Sequence, residues 1–136
     1  MLFVKKIDNS ELEKVNIIAE GLEETTCYKF VLKMHTGSQT YSSFCVIKSD
    51  YSGNIDFSTD KPIRGSYSEA NPMGLFSSLQ PTKLQSSNPS ANYHLQVFDP
   101  SETLIEEAFL NEKKEVVEHV VYKVAVPRDD GPWCKL

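Results

Sequence analysis

The sequence predicts an all-β protein, an immunoglobulin-like antiparallel β-sandwich of about seven or eight strands with one long loop containing a short helix. Three observations predict it. Apolar and polar residues alternate at period two through much of the chain, most clearly from Cys27 to His35, as in a strand with one buried face. Clusters of Gly, Pro, Asn, Asp and Ser return about every 8 to 12 residues, the rhythm of short strands and turns. From Lys61 to Lys83 the alternation stops, and this stretch holds two of the six glycines and three of the seven prolines.

Taken in order, Leu2 to Ile7 is a short apolar run suited to an edge strand, and Asp8-Asn9-Ser10-Glu11 is a turn. Val15 to Ala19 is a second strand, stopped by Gly21. Cys27 to His35 puts Tyr28, Phe30, Leu32 and Met34 on one face and Lys29, Val31, Lys33 and His35 on the other. Thr36-Gly37-Ser38 turns the chain into a strand from Tyr41 to Lys48. Ser49 to Asn54 is a polar hairpin connection before a short strand, Ile55 to Phe57.

Within Lys61 to Lys83, Met73, Leu75, Phe76 and Leu79 are spaced for one or two helical turns. Pro72 suits the first turn, Asn71 is a capping residue, and Pro81 helps to end the helix. Leu84 to Ala91, rich in Ser and Asn, is expected to be the most mobile stretch. Tyr93 to Phe98 is a strand ended by Asp99-Pro100, and Thr103 to Leu110 is the next. A charged turn, Asn111 to Glu115, precedes Val116 to Val126, the longest expected strand. The sandwich thus spans residues 1–126, and 127–136 reads as an exit linker or tail.

Composition narrows the function. The net charge is −5, with only two arginines, Arg64 and Arg128, and scattered lysines, which disfavours a nucleic-acid partner. No segment has the length of a membrane span or a signal-peptide core. The three cysteines, Cys27, Cys45 and Cys134, lack C-x-x-C spacing and suggest neither a disulfide framework nor a zinc site. An intracellular location is expected.

No G-x-S-x-G nucleophile elbow, P-loop or G-x-G-x-x-G occurs. His35, His94 and His119 fall on separate strands, so a Cys-His pair with Cys27 or Cys45 has no support from spacing. The blander reading puts His35 and His119 on wet strand faces and makes the cysteines small core residues. Glu106 and Glu107, adjacent on one strand, point to opposite faces and form no acid/base dyad. No catalytic, cofactor-binding or metal-binding residue is assigned, and no cofactor is expected.

The long loop carries the sharpest signal. Gly65-Ser66-Tyr67, then Pro72-Met73-Gly74-Leu75, then Ser78-Leu79-Gln80-Pro81 and Lys83 resemble the N-terminal domain of acyl-CoA thioesterases and bile acid-CoA:amino acid N-acyltransferase. The resemblance runs from about Val15 through Trp133 and includes Gly53 and Asp56. In that family a β-sandwich precedes an α/β-hydrolase domain, which holds the nucleophile. The resemblance implies an accessory domain in acyl-CoA and fatty-acid metabolism that is non-catalytic by itself. Its implied partner is the α/β-hydrolase domain, in a longer form or in trans, and acyl-CoA is contacted only indirectly.

The loop residues Gly65, Ser66, Tyr67, Pro72, Met73, Gly74, Leu75, Phe76, Leu79 and Pro81 are the expected docking loop. Tyr67, Pro72, Met73, Leu75 and Phe76 would supply its apolar surface. Trp133 stands in a segment similar to the family's interdomain junction, and the sequence stops three residues later, so the catalytic half is expected to be missing. Whether the chain is an enzyme is left open; a stand-alone sandwich binding module and a truncation product are the alternatives. Cys134-Lys135-Leu136 resembles a relaxed peroxisomal address, so the expected location is cytoplasmic or peroxisomal.

Overall fold

The computed structural model describes residues 1–7, 14–36, 39–82 and 92–122. The strands follow in chain order as β1 (Leu2–Lys6), β2 (Val15–Ala19), β3 (Cys27–Thr36), β4 (Gln39–Lys48), β5 (Ile55–Asp56) and β6 (Arg64–Gly65). Then come helix α1 (Gly74–Ser77), β7 (Gln80–Pro81), β8 (Asn92–Phe98), β9 (Leu104–Leu110) and β10 (Val116–Val121). All pairings are antiparallel. The small sheet runs β1-β2-β5, and the large one runs β10-β9-β8-β3-β4-β6, with β7 also on β4. The fold is an all-β sandwich of three strands against seven.

The alternation of β3 organises the large sheet. Tyr28, Phe30 and Leu32 are buried, and their register partners on β4 are Ile47, Cys45 and Ser43. On β8, Val97 and Leu95 lie opposite Phe30 and Leu32, and Ala108 on β9 lies opposite Leu95. One core-facing row therefore crosses four strands, because residues directly opposite in a ladder share a face. The small sheet covers it with Ile17, Ala19 and Ile55, while Phe57 meets Phe30 edge-on at 4.9 Å. A second, smaller cluster on the outer face joins Cys27 and Val46 to Ile63 and Phe98.

Several expectations shift by a residue or two. The second strand matches its expected limits, while β4 starts earlier and β5 is shorter. Among the described residues β3 and β4, at ten residues each, are the longest strands, and β10 has six. The expected turn at Asp8 to Glu11, the stretch Leu84 to Ala91, Val124 to Val126 and the tail 127–136 lie outside the described residues. So do Gly37 and Ser38 of the expected turn. The loop was expected to contain no strand, yet β6 and β7 bridge it to β4. Two-residue bridges carry no periodicity for a sequence to display.

The two ends of the sandwich differ. Loops 20–26, 49–54 and 99–103 gather at the end where β3 begins and β10 finishes, as the registers require. The N-terminus belongs to this end, because the Met1 amine lies 3.6 Å from Glu106. Near the other end, α1 closes the core over Val15, Ser43 and Tyr93.

Candidate functional site: the signature loop

The loop between β5 and β8 is built onto β4 residue by residue. Gly65 pairs with Cys45 at φ +146, and a Cβ there would stand 2.5 Å from the Phe44 carbonyl oxygen. Only glycine allows that approach. Ser66 extends the bridge: its N–H donates to the Phe44 carbonyl at 2.8 Å, and its Oγ accepts from the Phe44 N–H at 3.1 Å. Tyr67 then turns inward, and its hydroxyl donates to Cys45 Sγ at 3.6 Å.

The return of the loop rests on that tyrosine. A Cβ on Gly74 would come within 2.4 Å of the Tyr67 ring, so the missing side chain is the space the ring occupies. Asn71 Oδ1 accepts the Met73 N–H at 2.9 Å, and the Asn71 carbonyl accepts the Gly74 N–H at 3.0 Å. Asn71 thus closes the turn that leads into α1, while the helix proper has no side-chain cap. Met73 Sδ accepts the Val15 N–H at 3.3 Å, tying the loop to β2.

Leu75 is fully buried, and its carbonyl accepts Ser43 Oγ at 2.6 Å. Phe76 meets Tyr93 edge-on at 5.2 Å, and Lys114 Nζ lies 5.7 Å and 5.4 Å from the two ring centres. Leu79 packs on the core. Pro81 sits opposite Tyr41 in β7; it follows α1 by four residues and does not end the helix. Ser77 and Ser78 hydroxyls instead reach back to the Gly74 carbonyl at 3.3 Å and 2.7 Å.

The residues of the expected docking loop are unevenly exposed. Gly74 and Leu75 are buried, Tyr67, Pro72, Met73, Phe76 and Leu79 are half-buried, and Gly65, Ser66 and Pro81 are exposed. The physical reason is the hydrophobic effect acting within the chain: the uncovered inner surface of β4 and β8 offers these side chains a place to bury. Sequence reasoning identified the loop and missed its receivers, Cys45, Ser43 and Val15. Gly74 was the available signal, since an invitation for close approach is what a helical glycine without a positive φ advertises.

The remaining candidates are not assembled for chemistry. Burial pushes the Cys45 thiol up to about 12, with the Tyr67 hydrogen bond offsetting part of the effect, so thiolate is scarce at neutral pH. Burial, with Cys45 beside it, also raises the Tyr67 phenol. Cys27 is buried and disulfide-bonded, although the cysteine spacing suggests no disulfide framework. His94 stacks on Phe109 at 4.3 Å and meets Glu107 at 2.5 Å. His119 Nε2 lies 3.1 Å from Glu106 Oε2 without hydrogen-bond geometry. His119 shares the core-side row with Ala108 at the sheet margin, rather than the wet face expected for it.

Glu106 and Glu107 do point to opposite faces, each toward its own histidine. Among the described residues no group of His, Cys, Asp and Glu has the arrangement of a metal site. No helix of the described residues is long and apolar enough to cross a membrane.

The comparison with known families agrees with the loop. The family model described as the acyl-CoA thioester hydrolase/BAAT N-terminal region matches residues 12–128, most of the chain. The chain belongs to this family. No curated protein matches it. The match contains the whole signature loop, in which Gly65, Tyr67, Gly74 and Leu75 hold loop and sandwich together.

Proposed function

We propose that this chain is a non-catalytic accessory domain of an acyl-CoA thioester hydrolase, acting in acyl-CoA and fatty-acid metabolism with an α/β-hydrolase domain as its partner. The partner is supplied in a longer form or in trans, and acyl-CoA is met only through it. One observation carries the reading. A family match over residues 12–128 coincides with a signature loop anchored on the sandwich through Tyr67, Met73 and Leu75. The buried Cys45 thiol, hydrogen-bonded by a tyrosine, supports the non-catalytic part. Cytoplasm or peroxisome is the compartment proposed, the latter from the resemblance of Cys134-Lys135-Leu136 to a peroxisomal address.

The test is release of free CoA thiol from a long-chain acyl-CoA by the purified 136-residue chain. The expected result is no turnover above a heat-inactivated control, with folding confirmed by circular dichroism. Turnover by the folded chain would overturn the reading, and loss of that turnover in Cys45→Ala or His94→Ala would locate the unexpected chemistry.

A further inference from the structure

We propose that the hollow beside Glu106 is a binding site for a small primary alkylammonium ion. The ammonium sits on the Glu106 carboxylate, and the alkyl chain lies against Leu22, Ile105 and Val121. The hollow holds about 200 Å³, and Tyr28 and Tyr122 help these four residues to line it. That is less room than a drug-sized ligand needs. It suits an ion of a few heavy atoms.

The first observation is the carboxylate. Glu106 is only 7% exposed, and burying a carboxylate is costly unless hydrogen-bond donors surround it. Two basic groups approach it, and neither supplies such a bond. His119 Nε2 stands 3.1 Å from Oε2 without hydrogen-bond geometry. The Met1 amine stands 3.6 Å from Oε1 and donates to the Glu20 carbonyl instead. Among the described residues no lysine, arginine or histidine lines the hollow. The carboxylate therefore keeps acceptor capacity at the wall of an open space. An ammonium brings both the N–H donors and the compensating charge.

The second observation is the lining. Leu22, Ile105 and Val121 offer apolar contact to a short alkyl chain, and tyrosine is a side chain whose ring attracts ammonium ions. The exposed Glu23 adds a second carboxylate. That sign of charge repels carboxylic acids and phosphates, so the class of ligand is a cation.

The third observation is that the site is already built. The Leu22 N–H donates to the Gly53 carbonyl at 3.0 Å, and the Glu23 N–H donates to the Tyr28 hydroxyl at 2.9 Å. A Cβ on Gly53 would stand 2.0 Å from the Leu22 carbonyl oxygen, so loops 20–26 and 49–54 are in close contact. Val121 lies directly opposite Glu106 in the register of β9 and β10, which puts an apolar wall beside the carboxylate. Little has to be ordered when a ligand enters.

The experiment is an NMR titration of the ¹⁵N-labelled 136-residue chain with n-butylammonium chloride, at constant ionic strength and about pH 7.5. n-Butanol serves as the neutral counterpart. Saturable shifts are expected at the Leu22, Ile105 and Val121 amides, with a midpoint of about a millimolar. n-Butanol is expected to bind about tenfold more weakly or worse, as is n-butylammonium to Glu106→Gln. Val121→Lys places the chain's own ammonium opposite Glu106 and is expected to abolish saturation. Val121 is 53% exposed, so this variant decides the matter if Glu106→Gln fails to fold. Equal midpoints for n-butylammonium and n-butanol overturn the proposal and leave an apolar crevice. Shifts that stay linear to about 50 mM, or undiminished binding by folded Val121→Lys, overturn it as well.

Discussion

Gly74 shows how a single residue carries the loop. Its backbone is not in the left-handed region, so conformation alone would accept alanine; the obstacle is the Tyr67 ring, 2.4 Å from where the Cβ would stand. That ring cannot simply swing away, because its hydroxyl is hydrogen-bonded to Cys45 and its body packs on the core. Gly74→Ala is therefore expected to destabilise the chain by about 1–3 kcal/mol, the usual range for overpacking. Urea denaturation measures it. In a Tyr67→Leu background the same substitution should do much less damage, and the double-mutant cycle isolates the clash from any change in helix propensity. Equal penalties in both backgrounds would mean that Gly74 is needed for some reason other than the ring.

Among the elements, β10 is the one fastened by polar groups more than by burial. Val116, Val117 and Val121 are all exposed, so its ladder with β9 is reinforced mainly at two carboxylates. Glu106 faces His119 on the core side at 3.1 Å. Glu107, on the outer face, accepts hydrogen bonds from Tyr122 and His94. Burial by itself would raise the Glu107 carboxyl; the Tyr122 and His94 hydrogen bonds, aided by the charges of His94 and Lys33, outweigh it and hold the group below its ordinary value. A carboxylate with a depressed folded pKa contributes stability that is present above its unfolded pKa, about 4.3, and is lost as pH falls through the folded value. Stability should thus decline with acidification below about pH 5. Glu107→Gln should flatten that decline, as read from urea midpoints between neutral and acidic pH. An unchanged pH profile in the variant would show that other carboxylates set it.

At the scale of the whole molecule, the strand faces were legible because period-two alternation maps directly onto the two sides of a sheet. Tyr28, Phe30 and Leu32 reached the core for that reason, and Glu106 and Glu107 diverged for the same one. The loop's identity was legible from its unlike residues at set spacings. Its orientation was not, because contacts such as Met73 to Val15 join residues 58 apart and leave no local trace. The packing of the loop against the core gives the last prediction. Leu75 sits fully buried in one cluster with Phe30, Leu32, Ile17 and Leu95, residues from both sheets. Removing its side chain leaves a cavity that this packed surround can only partly fill, so Leu75→Ala should cost about 2–5 kcal/mol. Because the leucine belongs to the shared core, that loss should displace the unfolding of both sheets and the loop together. Circular dichroism of the strands and amide hydrogen exchange at Ser66 and Gly74 in the loop should therefore report the same lower urea midpoint. If the loop amides lost protection first while the strand signal stayed at the wild-type midpoint, the loop would be a separately folding cover, and the core assigned to this domain would end at the strands.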